Sequence, residues 1–141
     1  MRPASMEEWF AIHDTFVRYA TSLDHGDVEG VVACFAGDAT LTSPVLGKFS
    51  GHAGVREFAQ RTVRLLEEGV QFRHVVTNLV ARVDGDRALA RCYLLDFCTR
   101  EGATRLLSPG EYECELRRAS GQWRFVSRTV AMDQPFGEQD L

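Results

Sequence analysis

The hydrophobic repeat changes after Gly69, and this change limits the possible folds more than any other feature of the chain. Before Gly69, apolar residues recur at the spacing of an α-helix in three segments. After Gly69, apolar and polar residues alternate over long stretches, which is typical of strands with one buried face. Helices that come first and long antiparallel strands that follow predict an α+β fold, in which helices pack on one face of a curved sheet.

Local signals place the ends of these elements. Asp27 is positioned to N-cap the second helix, and Gly69 ends the third. Asp84-Gly85 predicts a hairpin turn between two long strands. The predicted helices cover about residues 6–23, 28–35 and 52–68, and the predicted strands cover about residues 39–45, 72–83, 87–99, 111–117 and 123–132.

The length of 141 residues predicts one domain. Apolar residues make up 45% of the chain, which is enough for a hydrophobic core without disulfide bonds. We expect the folded core to cover about residues 6–133. The tail 134–141 contains Pro135, Gly137 and acidic residues, and we expect it to fray.

Charge and hydropathy exclude several classes of partner. Sixteen basic and 20 acidic residues give a net charge of −4, which argues against a surface for nucleic acid or anionic membrane. No apolar run approaches the roughly 20 residues of a membrane helix, and the N-terminus lacks the apolar stretch of a signal peptide. These features predict a cytoplasmic protein with no membrane or nucleic-acid partner.

The sequence lacks the common motifs for cofactors and activated nucleophiles. There is no GxGxxG, GxxxxGK[ST], GxSxG or HExxH. The four cysteines have no CxxC spacing and no histidine at ligand spacing, so we expect reduced thiols and no bound metal. Any chemistry is therefore expected to depend on acid–base side chains in a pocket, without a cofactor.

Three residues are acid–base candidates. Asp24 follows the apolar stripe of the first helix, where its carboxylate faces the negative end of the helix dipole. Alternation places His74 on the same strand face as Phe72. Tyr19 lies on the buried stripe, where its hydroxyl needs a partner. Each also has a purely structural interpretation, as a solvated turn aspartate, a hydrogen-bonded core histidine and a core tyrosine.

Several segments of the chain resemble the SnoaL-like family of the nuclear-transport-factor-two-like superfamily. They are YATSLDHGD (19–27), CFAGDA (34–39), GHAGV (51–55), FRHVVTN (72–78), GEY (110–112) and GQWRF (121–125). The resemblance covers about residues 6–133 and implies a cone-shaped antiparallel sheet wrapped around three N-terminal helices, with an internal apolar cavity. Because the superfamily contains dehydratases, isomerases, cyclases and binding proteins, the fold does not decide the function.

Within the superfamily, the chain resembles the branch of scytalone dehydratase and bile acid 7α-dehydratase. In that branch an aspartate after the first helix acts with a histidine on the first long strand, and Asp24 and His74 stand at those positions. Tyr19 matches a tyrosine that lies five residues before the aspartate. The chain also departs from its relatives. No histidine follows His74, Ser43 stands where ketosteroid isomerases have their base, and Leu94 stands where an epoxide hydrolase has an arginine.

The resemblance implies a cofactor-free lyase or isomerase that acts on a hydrophobic cyclic, polyketide-like or steroid-like molecule. His74 would be the general base, Asp24 would orient its ring, and Tyr19 would donate to the oxygen on which charge develops. The alternative is a non-catalytic module of the same fold that binds an apolar ligand or assembles with other subunits. The candidate substrate-binding residues are Phe35, Phe72, Asn78 and Tyr112.

We expect a homo-oligomer, with a dimer as the expected state. A curved sheet covers its concave face with helices and leaves its convex face partly apolar. Tyr93, Leu95 and Phe97 are candidates for that outer face, and large apolar patches usually mark interfaces.

Overall fold

Three helices and a seven-stranded sheet form the protein, as seen in a computed structural model that describes residues 1–141. The helices are α1 (Met6–Asp24), α2 (Val28–Ala33) and α3 (Gly51–Glu67). The strands are β1 (Arg2–Pro3), β2 (Phe35–Ser43), β3 (Gly47–Ser50), β4 (Gln71–Asp84), β5 (Arg87–Arg100), β6 (Ala103–Ala119) and β7 (Gln122–Met132). A short 3-10 helix, Glu138–Asp140, lies close to the C-terminus.

The sheet has the strand order β1-β4-β5-β6-β7-β2-β3. All neighbouring strands run antiparallel except β2 and β7, which are parallel. The predicted α+β class, with N-terminal helices against a curved antiparallel sheet, is confirmed. Three strands differ from prediction. β2 begins at Phe35, where it pairs with Phe125, and β6 begins at Ala103, well before the predicted residue 111. β1 adds an edge strand that the sequence did not reveal.

Side chains cap the N-termini of α1 and α2. Ser5 caps α1, since its hydroxyl accepts a hydrogen bond from the Glu8 N–H and the Glu8 carboxylate accepts one from the Ser5 N–H. The predicted cap at Asp27 is confirmed, because its carboxylate accepts a hydrogen bond from the Gly30 N–H at 3.0 Å. No helix is both long and apolar enough to cross a membrane.

The core lies between the helices and the concave face of the sheet, and aromatic rings fill its centre. Phe35 is completely buried there, with its ring edge-on to Tyr19 at 5.6 Å and 5.1 Å from the ring of Phe125. Phe35 was predicted to bind substrate, but its side chain packs within the core and does not line the cavity described below.

A β-bulge in β4 changes which residues face the core. Phe72, His74 and Val76 point inward as predicted, but the pairing with β5 shifts between Thr77 and Val80. Asn78 lies in this bulge with a φ of 59° and is exposed. Asn78 was predicted to bind substrate from the alternation of β4, but the bulge interrupts this alternation and Asn78 does not line the cavity described below.

The C-terminal tail also differs from expectation. Its backbone is anchored where the Gln134 N–H donates a hydrogen bond to the Ser108 hydroxyl, at 2.9 Å. Phe136 and Leu141 pack against a small apolar cluster that includes Phe72. Two apolar side chains in a short polar segment are sufficient to hold this tail against the sheet, although composition alone indicates fraying.

Candidate active site

One cavity lies between the helices and the sheet and is mainly apolar. Its walls come from α1, α3, the turn between β2 and β3, the four long strands and the C-terminal tail. Its volume is about 80 Å³, which is below the several hundred cubic ångströms of typical ligand pockets. Besides Ser43, Thr62 and Glu138, the polar side chains that line it are Tyr19, His74, Asp96, Tyr112 and Arg128.

Asp24 and His74 are in direct contact. Asp24 is the last residue of α1, and His74 lies near the start of β4. The Oδ1 atom of Asp24 is 2.5 Å from Nδ1 of His74, and its Oδ2 atom accepts the backbone N–H of His74 at 2.9 Å. Because an ionised carboxylate can only accept, Nδ1 carries a proton and Nε2 remains for chemistry.

A second carboxylate faces the other ring nitrogen of His74. Asp96 lies directly opposite His74 in the register of β4 and β5. Its Oδ1 atom is 3.5 Å from Nε2 of His74 and has no hydrogen-bond partner. The imidazole ring therefore lies between two carboxylates, with Asp24 outside the cavity and Asp96 on its wall.

Burial and charge shift the pKa values of this group. Burial lowers the pKa of His74, but the charges of Asp96 and Asp24 and the Asp24 hydrogen bond outweigh it, so the pKa is raised. Burial raises the pKa of Asp96, and the nearby His74 only partly opposes this shift. Both shifts favour the protonated forms of the two facing groups, as expected of side chains that exchange protons.

Tyr19 and Tyr112 place their rings next to a buried arginine. The Cζ atom of Arg128 is 5.6 Å from the ring centre of Tyr19 and 5.1 Å from that of Tyr112. Burial raises the pKa of both phenols, while the Arg128 charge opposes the shift. Both hydroxyls therefore stay protonated at neutral pH and can donate hydrogen bonds to an oxygen in the cavity.

The tail covers part of the cavity. Phe136, Glu138 and Leu141 line it, and Glu138 forms an ion pair with Arg61 of α3 at 3.4 Å. Since the enclosed space is only about 80 Å³, a ring-sized ligand requires this tail or the turn that follows β2 to shift.

A family model described as a SnoaL-like domain matches residues 4–129. The chain belongs to the SnoaL-like family. The resemblance found in the sequence is therefore confirmed.

Solved structures share the fold of this SnoaL-like domain. A protein of unknown function from Mycobacterium tuberculosis is 29% identical with a TM-score of 0.83, over 92% of this chain and 73% of the other. A candidate aromatic ring hydroxylase from Novosphingobium aromaticivorans is 27% identical with a TM-score of 0.80, over 94% and 93%. A candidate scytalone dehydratase from Novosphingobium aromaticivorans is 20% identical with a TM-score of 0.79, over 92% and 86%, and shows likeness of fold alone.

Five residues singled out in the sequence of this SnoaL-like domain meet at the cavity. Tyr19, Phe72, His74 and Tyr112 line it, and Asp24 holds His74 from behind. No group of three or more His, Cys, Asp or Glu side chains is arranged to hold a metal ion.

Two buried charged residues of the cavity were not predicted as part of the site. Asp96 could have been found, because it is the charged position in the buried row of β5, among the residues Ala88, Ala90, Cys92, Leu94 and Cys98. Arg128 could not be found by alternation. A bulge leaves Val126 without a partner on β6, and this bulge turns Arg128 inward.

Proposed function

We propose that this SnoaL-like domain is a cofactor-free lyase or isomerase that moves protons on a hydrophobic cyclic or polyketide-like molecule. The observation that carries the proposal is the position of the His74 ring, which lies between the carboxyl groups of Asp24 and Asp96 and lines an apolar cavity. The family and the structural neighbour named as a candidate dehydratase agree with this class of reaction.

His74 is the general base in this proposal. Its Nε2 atom takes a proton from a carbon next to a carbonyl group, and the negative charge of Asp24 stabilises the imidazolium that forms. Tyr19 donates a hydrogen bond to the carbonyl oxygen as it becomes negative. The apolar walls exclude water and strengthen each of these interactions.

Asp96 is the second proton carrier. In an elimination, the C–H bond breaks and its proton goes to Nε2. A β-hydroxyl group then leaves as water with a proton from the His74–Asp96 pair, and a C=C bond forms. In an isomerisation, the same pair returns the proton to another carbon. The raised pKa of Asp96 supports this role, because burial makes this carboxyl hold a proton more readily and a held proton can be donated.

The alternative function is a binding module. The surroundings of the His74–Asp96 pair distinguish a binding module from an enzyme. A structural pair would be sealed with all its hydrogen bonds formed. Here His74 lines the cavity, and Asp96 Oδ1 has no hydrogen-bond partner. Both features support proton transfer over simple binding.

Deuterium exchange tests the proposal without knowledge of the natural substrate. Cyclohexanone and 2-tetralone in D₂O should exchange their α-protons faster with the wild-type protein than in buffer, as measured by proton NMR. His74→Gln should lose this acceleration, whereas His13→Gln, outside the cavity, should keep it. Exchange that is equal in wild type and His74→Gln would contradict the proposal.

A further inference from the structure

Arg128 is a buried cation with few polar contacts. Its side chain is 3% exposed and points into the cavity from β7. One Nη atom donates a hydrogen bond to the backbone oxygen of Thr42 at 3.2 Å, and its Nε atom has no partner. A guanidinium group has five N–H donors, so most of its hydrogen-bonding capacity is unused by the protein.

No carboxylate of the protein neutralises this cation. Arg128 forms no ion pair within 4.0 Å. Both oxygens of Asp24 are bound to His74, and Asp96 faces the Nε2 atom of the same residue. Glu138, at the rim of the cavity, is paired with Arg61. An unpaired buried charge is costly, so a partner from outside the chain would be strongly favoured.

Three aromatic rings lie close to the guanidinium group of Arg128. The Cζ atom of Arg128 lies 5.1 to 5.7 Å from the ring centres of Tyr19, Phe58 and Tyr112. Aromatic rings stabilise the cation through their faces, but they accept no in-plane hydrogen bonds. The planar edge of the guanidinium group matches a planar, two-oxygen anion.

We propose that Arg128 anchors a carboxylate of the ligand, so that the molecules bound in this cavity are hydrophobic acids. This inference rests on the proposed function, because it assumes that the other end of the ligand reacts at His74. The charge of Arg128 is close enough to act on His74. An acid anchored at Arg128 places its carbon skeleton along the apolar wall toward Nε2 of His74. The Asp24 carboxylate beside His74 repels a carboxylate from the opposite end, which fixes the direction of binding.

Benzoate and benzamide are the probes, because they share one shape and differ in charge. In calorimetry or ligand-observed NMR, the wild-type protein should bind benzoate about tenfold to a hundredfold more tightly than benzamide. Arg128→Met keeps the length of the side chain and removes the charge, and it should abolish this preference. Arg105→Met, at an exposed position on β6, is the matched control and should keep it.

Arg128→Lys guards against a folding defect in Arg128→Met. It keeps the charge without the planar edge, so it should retain part of the preference for benzoate. Equal affinities for benzoate and benzamide in the wild-type protein would overturn the proposal, as would a preference unchanged in Arg128→Met.

The two proposals fail separately. Benzoate binding that depends on Arg128, without any exchange of ketone protons, would support the anion site and contradict proton transfer. Exchange that depends on His74, without a preference for benzoate, would support proton transfer and contradict the anion site.

Discussion

Asp24 holds His74 by two bonds, since one carboxylate oxygen faces Nδ1 at 2.5 Å and the other accepts the backbone N–H at 2.9 Å. The same carboxylate therefore joins the end of α1 to the start of β4 and sets the orientation of the imidazole ring. The side chain of Gln71 also links α1 to β4, because its amide donates a hydrogen bond to the backbone oxygen of Asp24 at 3.0 Å.

Asp24→Asn should reduce both stability and exchange activity. One of its two acceptor oxygens becomes an NH₂ group that faces a donor of His74, so the unfolding free energy should fall by about 1–3 kcal/mol. Exchange should fall about a hundredfold to ten-thousandfold, the usual range for general acid–base groups. Asp14→Asn, an exposed position on the same helix, is the control. Urea unfolding and ketone exchange measure the two effects, and an active Asp24→Asn protein would contradict the orienting role.

The double variant Asp24→Asn/His74→Gln should lose little more activity than His74→Gln alone. Residues that act as one unit give non-additive losses, because removal of the base makes its orienting partner irrelevant. Exchange rates of both single variants and the double variant provide the measurement. Losses that simply multiply would mean that the two residues act independently.

The pKa of His74 should lie above its ordinary value of 6.5, and the Asp96→Asn substitution should lower this pKa. The folded-state pKa is raised, so the stability gained from protonating His74 is complete below about pH 6.5 and is lost as the pH rises through the folded pKa. Exchange activity should change in the opposite direction, since the base must be neutral to accept a proton. NMR titration of the imidazole protons tests this prediction, and an unchanged pKa in Asp96→Asn would contradict it.

Phe136→Ala should admit larger ligands. The Phe136 ring lines the cavity and belongs to the tail that packs beside Phe72. Its removal should improve the affinity for 2-naphthoate relative to benzoate. The free energy of unfolding should fall by less than the roughly 3–5 kcal/mol of a fully buried Phe→Ala change. Phe10→Ala, which changes an exposed ring on α1, is the control. Titrations with both acids measure the ratio, and an unchanged ratio would mean that the tail does not limit ligand size.

The outer face of the sheet should form a homodimer contact. Val80 and Tyr93 are 54% and 51% exposed there, and Arg91 lies opposite Glu113 in the register of β5 and β6. A face that carries apolar groups and both signs of charge can pair with a copy of itself. Sedimentation should give about twice the mass of 15.8 kDa, and Tyr93→Glu should shift it to the monomer. A monomeric wild-type protein at micromolar concentration would refute the prediction.

Residues of the site differ in how far the sequence could reveal them. The alternation of β4 placed His74 on the inner face, and the helical stripe placed Tyr19 in the core. The link between Asp24 and His74 came only from resemblance, because 50 residues separate them and no local pattern joins them.

The sequence by itself determined the type of the three helices and of the long strands, since the repeat of apolar residues decides whether a segment buries a helical stripe or a strand face. It also determined the inner face of β6, where Tyr112, Cys114 and Leu116 are buried as their alternation with glutamates requires. These features depend only on neighbours within a segment.

Tertiary structure decided the rest of the site. Strand register set Asp96 opposite His74, and a bulge at Val126 turned Arg128 inward against the simple alternation of β7. Packing of Phe136 closed the tail over the cavity. Register, bulges and tail docking arise from contacts between distant segments, whose combined free energy no local repeat encodes.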